Sequence, residues 1–349
     1  MKILLIGGAG FIGKNYIEKY SDSNEIYVVD SLDPLIHGFD LKNINNFLSL
    51  NTSGYLISDY ASNESFEYIQ KINPDIIITM ASQTGTADGN NRVDYYLNEN
   101  ISKFSYFINN IKRLDNLRRV VHLSTRAVYG NGYSLVNDEL IHNGFRDVDR
   151  LNSGVFKFLW EDTSEGLYQR NDAAQSTAPV SIYGVTKLAQ EGLLSSLRSD
   201  CTWDYVILRL QNVIGRGQSL LNPYTGLTCW FTQAALSGKN IQIYENGEIW
   251  RDFIDVRDVC ETIQVASINC VAKNEIIDIG SGVATNLVDY ANLITSKVNA
   301  ISDIELVKKY RHGDIRWAAA NIDKAKSIGL YFNRNTLAET IEKFVDSVV

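Results

Sequence analysis

Lys2-Ile3-Leu4-Leu5-Ile6-Gly7-Gly8-Ala9-Gly10-Phe11-Ile12-Gly13 passes directly from a strand-length apolar run, through four residues rich in glycine, into a helix-period stretch that runs to Tyr20. A strand apolar on every residue is one buried on both faces, as in a parallel sheet covered by helices. Glycines at this junction permit a tight turn and let a pyrophosphate approach the N-terminus of the following helix. The next run, Glu25 to Val29, leads to Asp30. A carboxylate there can accept hydrogen bonds from an adenosine ribose diol and would repel a 2′-phosphate, so the pattern predicts a dinucleotide site that prefers NAD to NADP.

Working outward, strand-length apolar runs recur at Asp75 to Thr79, Arg119 to Ser124 and Tyr205 to Arg209, with helix-period stretches at Ser62 to Ile72, Tyr95 to Arg113 and Ile182 to Ser199. This alternation predicts an α/β fold with a doubly wound parallel sheet. Residues 131–178 are rich in Gly, Asn and Asp, and read as an ordered excursion near the site because a structureless loop of that length is unusual. Helix signals near Leu227 to Ser237, Val256 to Asn269, Asn286 to Ser296 and Asn335 to Val348 suit a smaller, partly interleaved C-terminal domain. The expected division is a dinucleotide domain over 1–208, joined by 250–282, and a substrate domain over 209–249 and 283–349.

With 349 residues, 45% hydrophobic and 4 proline, the chain can bury a sizeable core without staples. A balance of 33 basic to 41 acidic residues argues against nucleic acid or an anionic membrane as partner, while leaving room for a small anionic ligand held by a local arginine cluster. Cys201, Cys229, Cys260 and Cys270 have neither zinc nor disulfide spacing, which suits free thiols in a reducing cytoplasm. No apolar run is long enough for a bilayer span or a signal segment, so a soluble cytoplasmic protein is expected. His37, His122, His142 and His312 form no ligand cluster, and no metal site is expected.

Tyr183 and Lys187 lie four residues apart, on one face of a predicted helix. A phenol with an ordinary pKa near 10 acts as a base at neutral pH only beside positive charge, which Lys187 and an oxidised nicotinamide would supply. Ser124-Thr125 ends a strand at the sheet edge where α/β proteins gather ligands, so the Thr125 hydroxyl can share a proton with Tyr183. Asp59-Tyr60 follows the short apolar run Tyr55 to Ile57, and reads equally as an adenine contact or as a plain turn. Gly280-Ser281-Gly282 mimics a phosphate loop but lacks the strand-helix context and the ribose acid, and is read as structural.

Together the glycine-rich run, Ser124-Thr125 before Val128-Tyr129-Gly130, Tyr183 to Lys187, Arg209 with Asn212, and Arg251-Asp252-Phe253 resemble the extended short-chain dehydrogenase/reductase family over almost the whole chain. That resemblance implies tightly held NAD and transient oxidation of a nucleotide-diphosphate sugar. It further implies cofactor contacts at Gly7, Gly10, Phe11, Ile12, Gly13, Asp30, Asp59, Tyr60, Ala81, Ser82, Tyr183 and Lys187. It places Thr84, Thr86, Thr125, Arg126, Asn212, Asn222, Arg251, Arg311 and Asp314 on the substrate, with Thr125, Tyr183 and Lys187 catalytic. Gln83 to Thr86, Ser124 to Gly130, Trp160-Glu161, Gly217 to Gly226 and Tyr310 to Arg316 are similar to the dTDP-L-rhamnose 4-epimerase group.

Arg126 and Ala127 occupy the positions where sugar 4,6-dehydratases of the family carry Asp-Glu, which argues against elimination of water. Met80 and Asp278 also depart from the family's usual His and Asn. A homodimer through the helices at Tyr95 to Arg113 and Ile182 to Ser199 is implied. Two other readings stand beside a 4-epimerase: a one-way 4-ketoreductase, and a non-catalytic NAD-binding protein, against which the Thr125, Tyr183 and Lys187 set weighs.

Overall fold

The computed structural model describes residues 1–37, 45, 47–220, 226–298 and 302–348, without the side chains of 35, 36, 86 and 87. Seven strands form one sheet: β1 (Lys2–Ile6), β2 (Glu25–Asp30), β3 (Gly54–Ile57), β4 (Ile76–Thr79), β5 (Arg119–Thr125), β6 (Asp204–Leu210) and β7 (Glu275–Ile279). Their order is β7-β6-β5-β4-β1-β2-β3 and every pairing is parallel. The sequence expectation held for five strands within a residue or so. It had not assigned β3 and β7, the two edges, whose shorter or more polar runs carry a weaker apolar signal.

Alternate residues of each strand feed two cores. Ile3, Leu5, Val28, Ile78 and Leu208 face Tyr16 and Ile17 of α1 (Phe11–Tyr20) and Val259 and Ile263 of the helix Val256–Ile268. Leu4, Ile6, Val29, Ile77 and Ile207 face Phe66 and Ile69 of α2 (Asn63–Ile72), Phe104, Phe107 and Ile108 of α3 (Lys103–Ile111) and Leu194 of α4 (Ile182–Ser196). Burying both faces is why these strands read as continuous apolar runs. A third core gathers Phe231, Ile241, Phe253, Tyr290, Ile294 and Phe344 in a smaller C-terminal lobe, while Ala325 and Leu330 return to the first core.

The helix expected over Tyr95 to Arg113 divides into Val93–Leu97, a π-helical turn Asn98–Ser102, and α3. The wide turn rotates Asn100 fully inside, where its amide accepts from the Gln83 N–H at 2.8 Å and donates to the Gln83 carbonyl and the Thr186 hydroxyl. Within residues 131–178, Tyr133–Val136 pairs antiparallel with Glu139–His142 and Gly166–Tyr168. The buried ion pair Arg146–Glu245, at 2.6 Å, ties this excursion to the smaller lobe.

Candidate active site

The carboxyl ends of β1, β2, β4, β5 and β6 open into a cleft of about 450 Å³. Gly7, with φ +83°, forms its floor, and a Cβ there would stand 2.6 Å from the Ala81 nitrogen. No side chain caps α1 at Gly10, and Phe11, Ile12 and Gly13 of its first turn line the cleft. A helix start left open in this way presents unpaired N–H groups and the positive end of the dipole to an anion. Asp30 ends β2 with one carboxylate oxygen accepting from the Ala9 N–H and the other from the Leu32 N–H, both at 2.9 Å, so the glycine loop and the acid are locked together. These residues fit a dinucleotide: close backbone approach at Gly7, a pyrophosphate seat at α1 and a carboxylate on the cleft wall.

Asp59, Tyr60, Ala81, Ser82 and Thr84 also line the cleft. Tyr60 donates its hydroxyl to the Glu99 carbonyl, and Asp59 pairs with Lys103 at 2.6 Å. The side chain of Thr86 and all of Asn222 lie outside the described residues.

Thr125, Arg126, Tyr183, Lys187 and Asn212, from four elements, also line this cleft. Thr125 ends β5 and accepts the Ala127 N–H at 3.2 Å, which leaves its hydroxyl proton available. Ser181 caps α4 by accepting from the Gly184 N–H, and a Cβ on Gly184 would sit 2.6 Å from the Ala127 carbonyl oxygen. Only glycine allows α4 to press against the turn after β5, and that contact sets Tyr183 beside Thr125. Burial pushes the Tyr183 phenol up to about 12, against the pull of the Thr125 hydroxyl and the Arg126 guanidinium. Burial pushes Lys187 down to about 7, against the pull of Glu191.

Tyr183, Lys187 and Glu191 repeat at four-residue intervals along α4. Glu191 is buried, accepts from Ser124 and holds Arg209 in a two-pronged pair; Arg209 donates to the Tyr129 hydroxyl at 2.7 Å, which donates to Asp278 at 2.8 Å. The sequence reading missed Glu191, Asn100, Gln83 and His122. The i+8 spacing of Glu191 from Tyr183 was the one signal on the chain that pointed to it.

Arg126 is anchored through Nε to the Asn212 side chain at 3.1 Å. Burial and the neighbouring Arg251 charge push its guanidinium down, while Asp314, Tyr183 and Asp252 pull the other way. Arg251 is buried and donates to the Trp250 carbonyl at 2.8 Å, with Asp314 and Glu245 as its acidic neighbours. Arg251, Arg311 and Asp314 do not line the described cleft; Arg311 is exposed, over the rings of Tyr244 and Trp230. The amides of Ser281 and Gly282 donate to Asp252, so the loop resembling a phosphate site is filled by the chain's own carboxylate. Among the described residues no helix is long and apolar enough to cross a membrane, and no cluster of three His, Cys, Asp or Glu is arranged to hold a metal.

A profile of the NAD-dependent epimerase/dehydratase family matches residues 3–147 and 152–280. The chain is 31% identical over 331 residues to a dTDP-L-rhamnose 4-epimerase of Burkholderia thailandensis, covering 93% of this chain and 88% of that one. It is 26% identical to a putative UDP-glucose 4-epimerase of Methanocaldococcus jannaschii, over 94% of this chain and 92% of that one. In fold it is similar to the UDP-glucuronic acid 4-epimerase of Bacillus cereus solved with UDP-glucuronic acid and NAD (TM-score 0.80, 21% identity, 100% and 99% of the two chains). The Thermotoga maritima UDP-glucose 4-epimerase is equally similar (TM-score 0.79, 22% identity, 100% and 98%). With its glycine loop, Asp30 and the Thr125–Tyr183–Lys187 wall around one cleft, the chain belongs to the NAD-dependent epimerase/dehydratase family, and NAD is its cofactor.

Proposed function

We propose that the protein is a nucleotide-sugar 4-epimerase that interconverts dTDP-L-rhamnose and dTDP-6-deoxy-L-talose. The observation that carries this reading is the meeting of Thr125, Tyr183 and Lys187 in the same cleft as the glycine loop. The choice of sugar is supported by the likeness to the Burkholderia thailandensis enzyme over 93% of the chain.

Gly7, Gly10 to Gly13 and Asp30 hold the dinucleotide, and Ala81 and Ser82 flank it. Bound NAD supplies reversible two-electron redox chemistry at the sugar C4. Tyr183, as phenolate, takes the proton of the 4-hydroxyl while Thr125 bridges hydroxyl and phenol. Lys187 and Arg126 place the positive charge that a buried phenolate needs. The 4-keto sugar then turns its other face to the cofactor, Tyr183 returns the proton to the oxygen, and C4 is inverted with no net redox change.

Such a turn is possible when the diphosphate is anchored and the sugar is loosely held. Arg126 on the cleft wall and the buried Arg251 are close enough to repel, and an anion with charge to spare, such as a diphosphate, would match them. Arg251→Met is expected to raise KM for the nucleotide sugar about 10-fold or more while NAD content of the purified protein stays level; equal loss of both would assign Arg251 to the fold instead. We further propose that two copies pair through Val93–Leu97, α3 and α4.

The test is incubation with dTDP-L-rhamnose in deuterated buffer without added cofactor, with the sugar C4 proton followed by NMR. A second 6-deoxy-sugar spectrum that keeps its C4 proton is the expected result. Turnover of a 4-keto sugar only on addition of NADH or NADPH would make the protein a ketoreductase.

A further inference from the structure

Lys187 has one hydrogen-bonding partner among the described residues, and it is a histidine. Its Nζ stands 3.3 Å from Nε2 of His122, in the middle of β5. The other ring nitrogen, Nδ1, lies 2.8 Å from the Thr79 hydroxyl on β4, and that hydroxyl is 3.5 Å from the Val121 carbonyl. His122, Thr79 and Lys187 are each at most 3% exposed. The ring of Phe104 closes the site from α3, with its centroid 5.1 Å from the imidazole. Glu191, one turn on along α4, is the charged group that acts on Lys187, and Tyr183 stands one turn before that lysine on the same helix.

Hydrogen-bond bookkeeping fixes the direction of this chain. Burial, with the Lys187 charge added to it, pushes His122 well below its ordinary value, so the ring is neutral and carries one N–H and one lone pair. Lys187, pushed down to about 7, is an ammonium below that pH, with three donors and no acceptor. Nε2 must therefore supply the lone pair, the proton sits on Nδ1 and is given to Thr79, and Thr79 gives its own to Val121.

We propose that His122 is a positioning residue of the active site: locked by Thr79 in the Nδ1–H tautomer, it accepts from the Lys187 ammonium and holds that charge in place below Tyr183. The proposal rests on the reading of Lys187 as the cation that supports the phenolate. An ammonium buried without an acceptor sheds its proton more readily, so removing Nε2 lowers the Lys187 pKa and draws the basic limb of activity down with it.

Two measurements test this on the NAD-bound enzyme. The first is NMR of protein labelled with ¹⁵N-histidine, which has only four imidazoles to separate, with His122 assigned through His122→Gln. At pH 6, where Lys187 is charged, a neutral ring protonated at Nδ1 and bare at Nε2 is expected; an Nε2–H ring or an imidazolium there overturns the proposal whatever sugar the enzyme uses. The second is the pH profile of kcat. His122→Leu is expected to move the basic limb down by about one pH unit with KM for the nucleotide sugar unchanged. His122→Gln, whose amide oxygen replaces Nε2, is expected to restore it. An unmoved limb in His122→Leu, or equal losses in both variants with the parent profile, reduces His122 to packing and overturns the proposal. Thr79→Val, which removes only the tautomer lock, is the milder variant should His122→Leu not fold; it shifts the limb the same way by less, and an unmoved limb there counts against the proposal. Absence of sugar turnover in the parent enzyme would reject the proposed function and leave the NMR result to decide this one.

Discussion

A phenol half-buried in the cleft wall, as Tyr183 is, is a poor base until positive charge gathers around it. Thr125 and Arg126 already oppose the burial that pushes it to about 12, and Lys187 waits one turn away on α4. Tyr183→Phe is expected to lower kcat by about 10²–10⁴-fold, the usual contribution of a positioned base, while NAD content and Tm stay at parent values; near-normal turnover would move the base elsewhere. Asp278 carries a second prediction. Burial pushes it up to about 7 against the Tyr129 hydroxyl and the Arg209 charge. Between about pH 4 and 7 the native protein therefore holds a proton that the unfolded chain has released, and stability falls as pH rises through that window. Asp278→Asn lacks that slope, so its Tm relative to the parent should climb between pH 5 and pH 8 by about 2–4 °C per kcal/mol recovered. A constant offset would show that Asp278 does not titrate there. At this scale Tyr183 and Lys187 were legible because their spacing puts them on one helical face. His122 was not, since a lone histidine in a strand gives no hint that a lysine 65 positions later meets it.

Among the elements, the π-helical turn Asn98–Ser102 departs most from what periodicity suggested. Apolar spacing at Phe104, Ile108 and Ile111 is helical and was read correctly, but one extra residue in the preceding turn swings Asn100, rather than Ile101, into the fully buried position. Such turns are often found at functional sites, and this one holds Gln83 on the cleft wall and Thr186 on α4. Asn100→Ala strips three hydrogen bonds from buried partners; a loss of about 2–4 kcal/mol in denaturant unfolding is expected, together with poorer retention of NAD. A melt within about 0.5 kcal/mol of the parent would show that the turn stands without it. Five of the seven sheet strands and the longer helices were legible to within a few residues, because each buries a continuous apolar face.

At the scale of the whole molecule, Val93–Leu97 and α4 pack side by side and leave Val93, Leu97, Tyr106 and Val185 exposed. An apolar surface on adjacent helices suits a two-fold interface. Light scattering after size exclusion is expected to give twice the chain mass, and Leu97→Asp with Val185→Glu to give the monomer; a monomeric parent would reject the pairing. The α/β class with its parallel sheet, the glycine loop with Asp30, and the helical face shared by Tyr183 and Lys187 rest on spacings of a few residues that fix a turn, a helical face or a strand end, and could be read from the chain alone. What lies across the sheet could not. The His122–Lys187 contact, the carboxylate of Asp252 filling the Ser281–Gly282 amides, the Glu191–Arg209–Tyr129–Asp278 network, and the seat of Arg311 over the rings of Tyr244 and Trp230 join residues on separate elements. Such contacts depend on the register and packing distance between those elements, which only the folded structure determines.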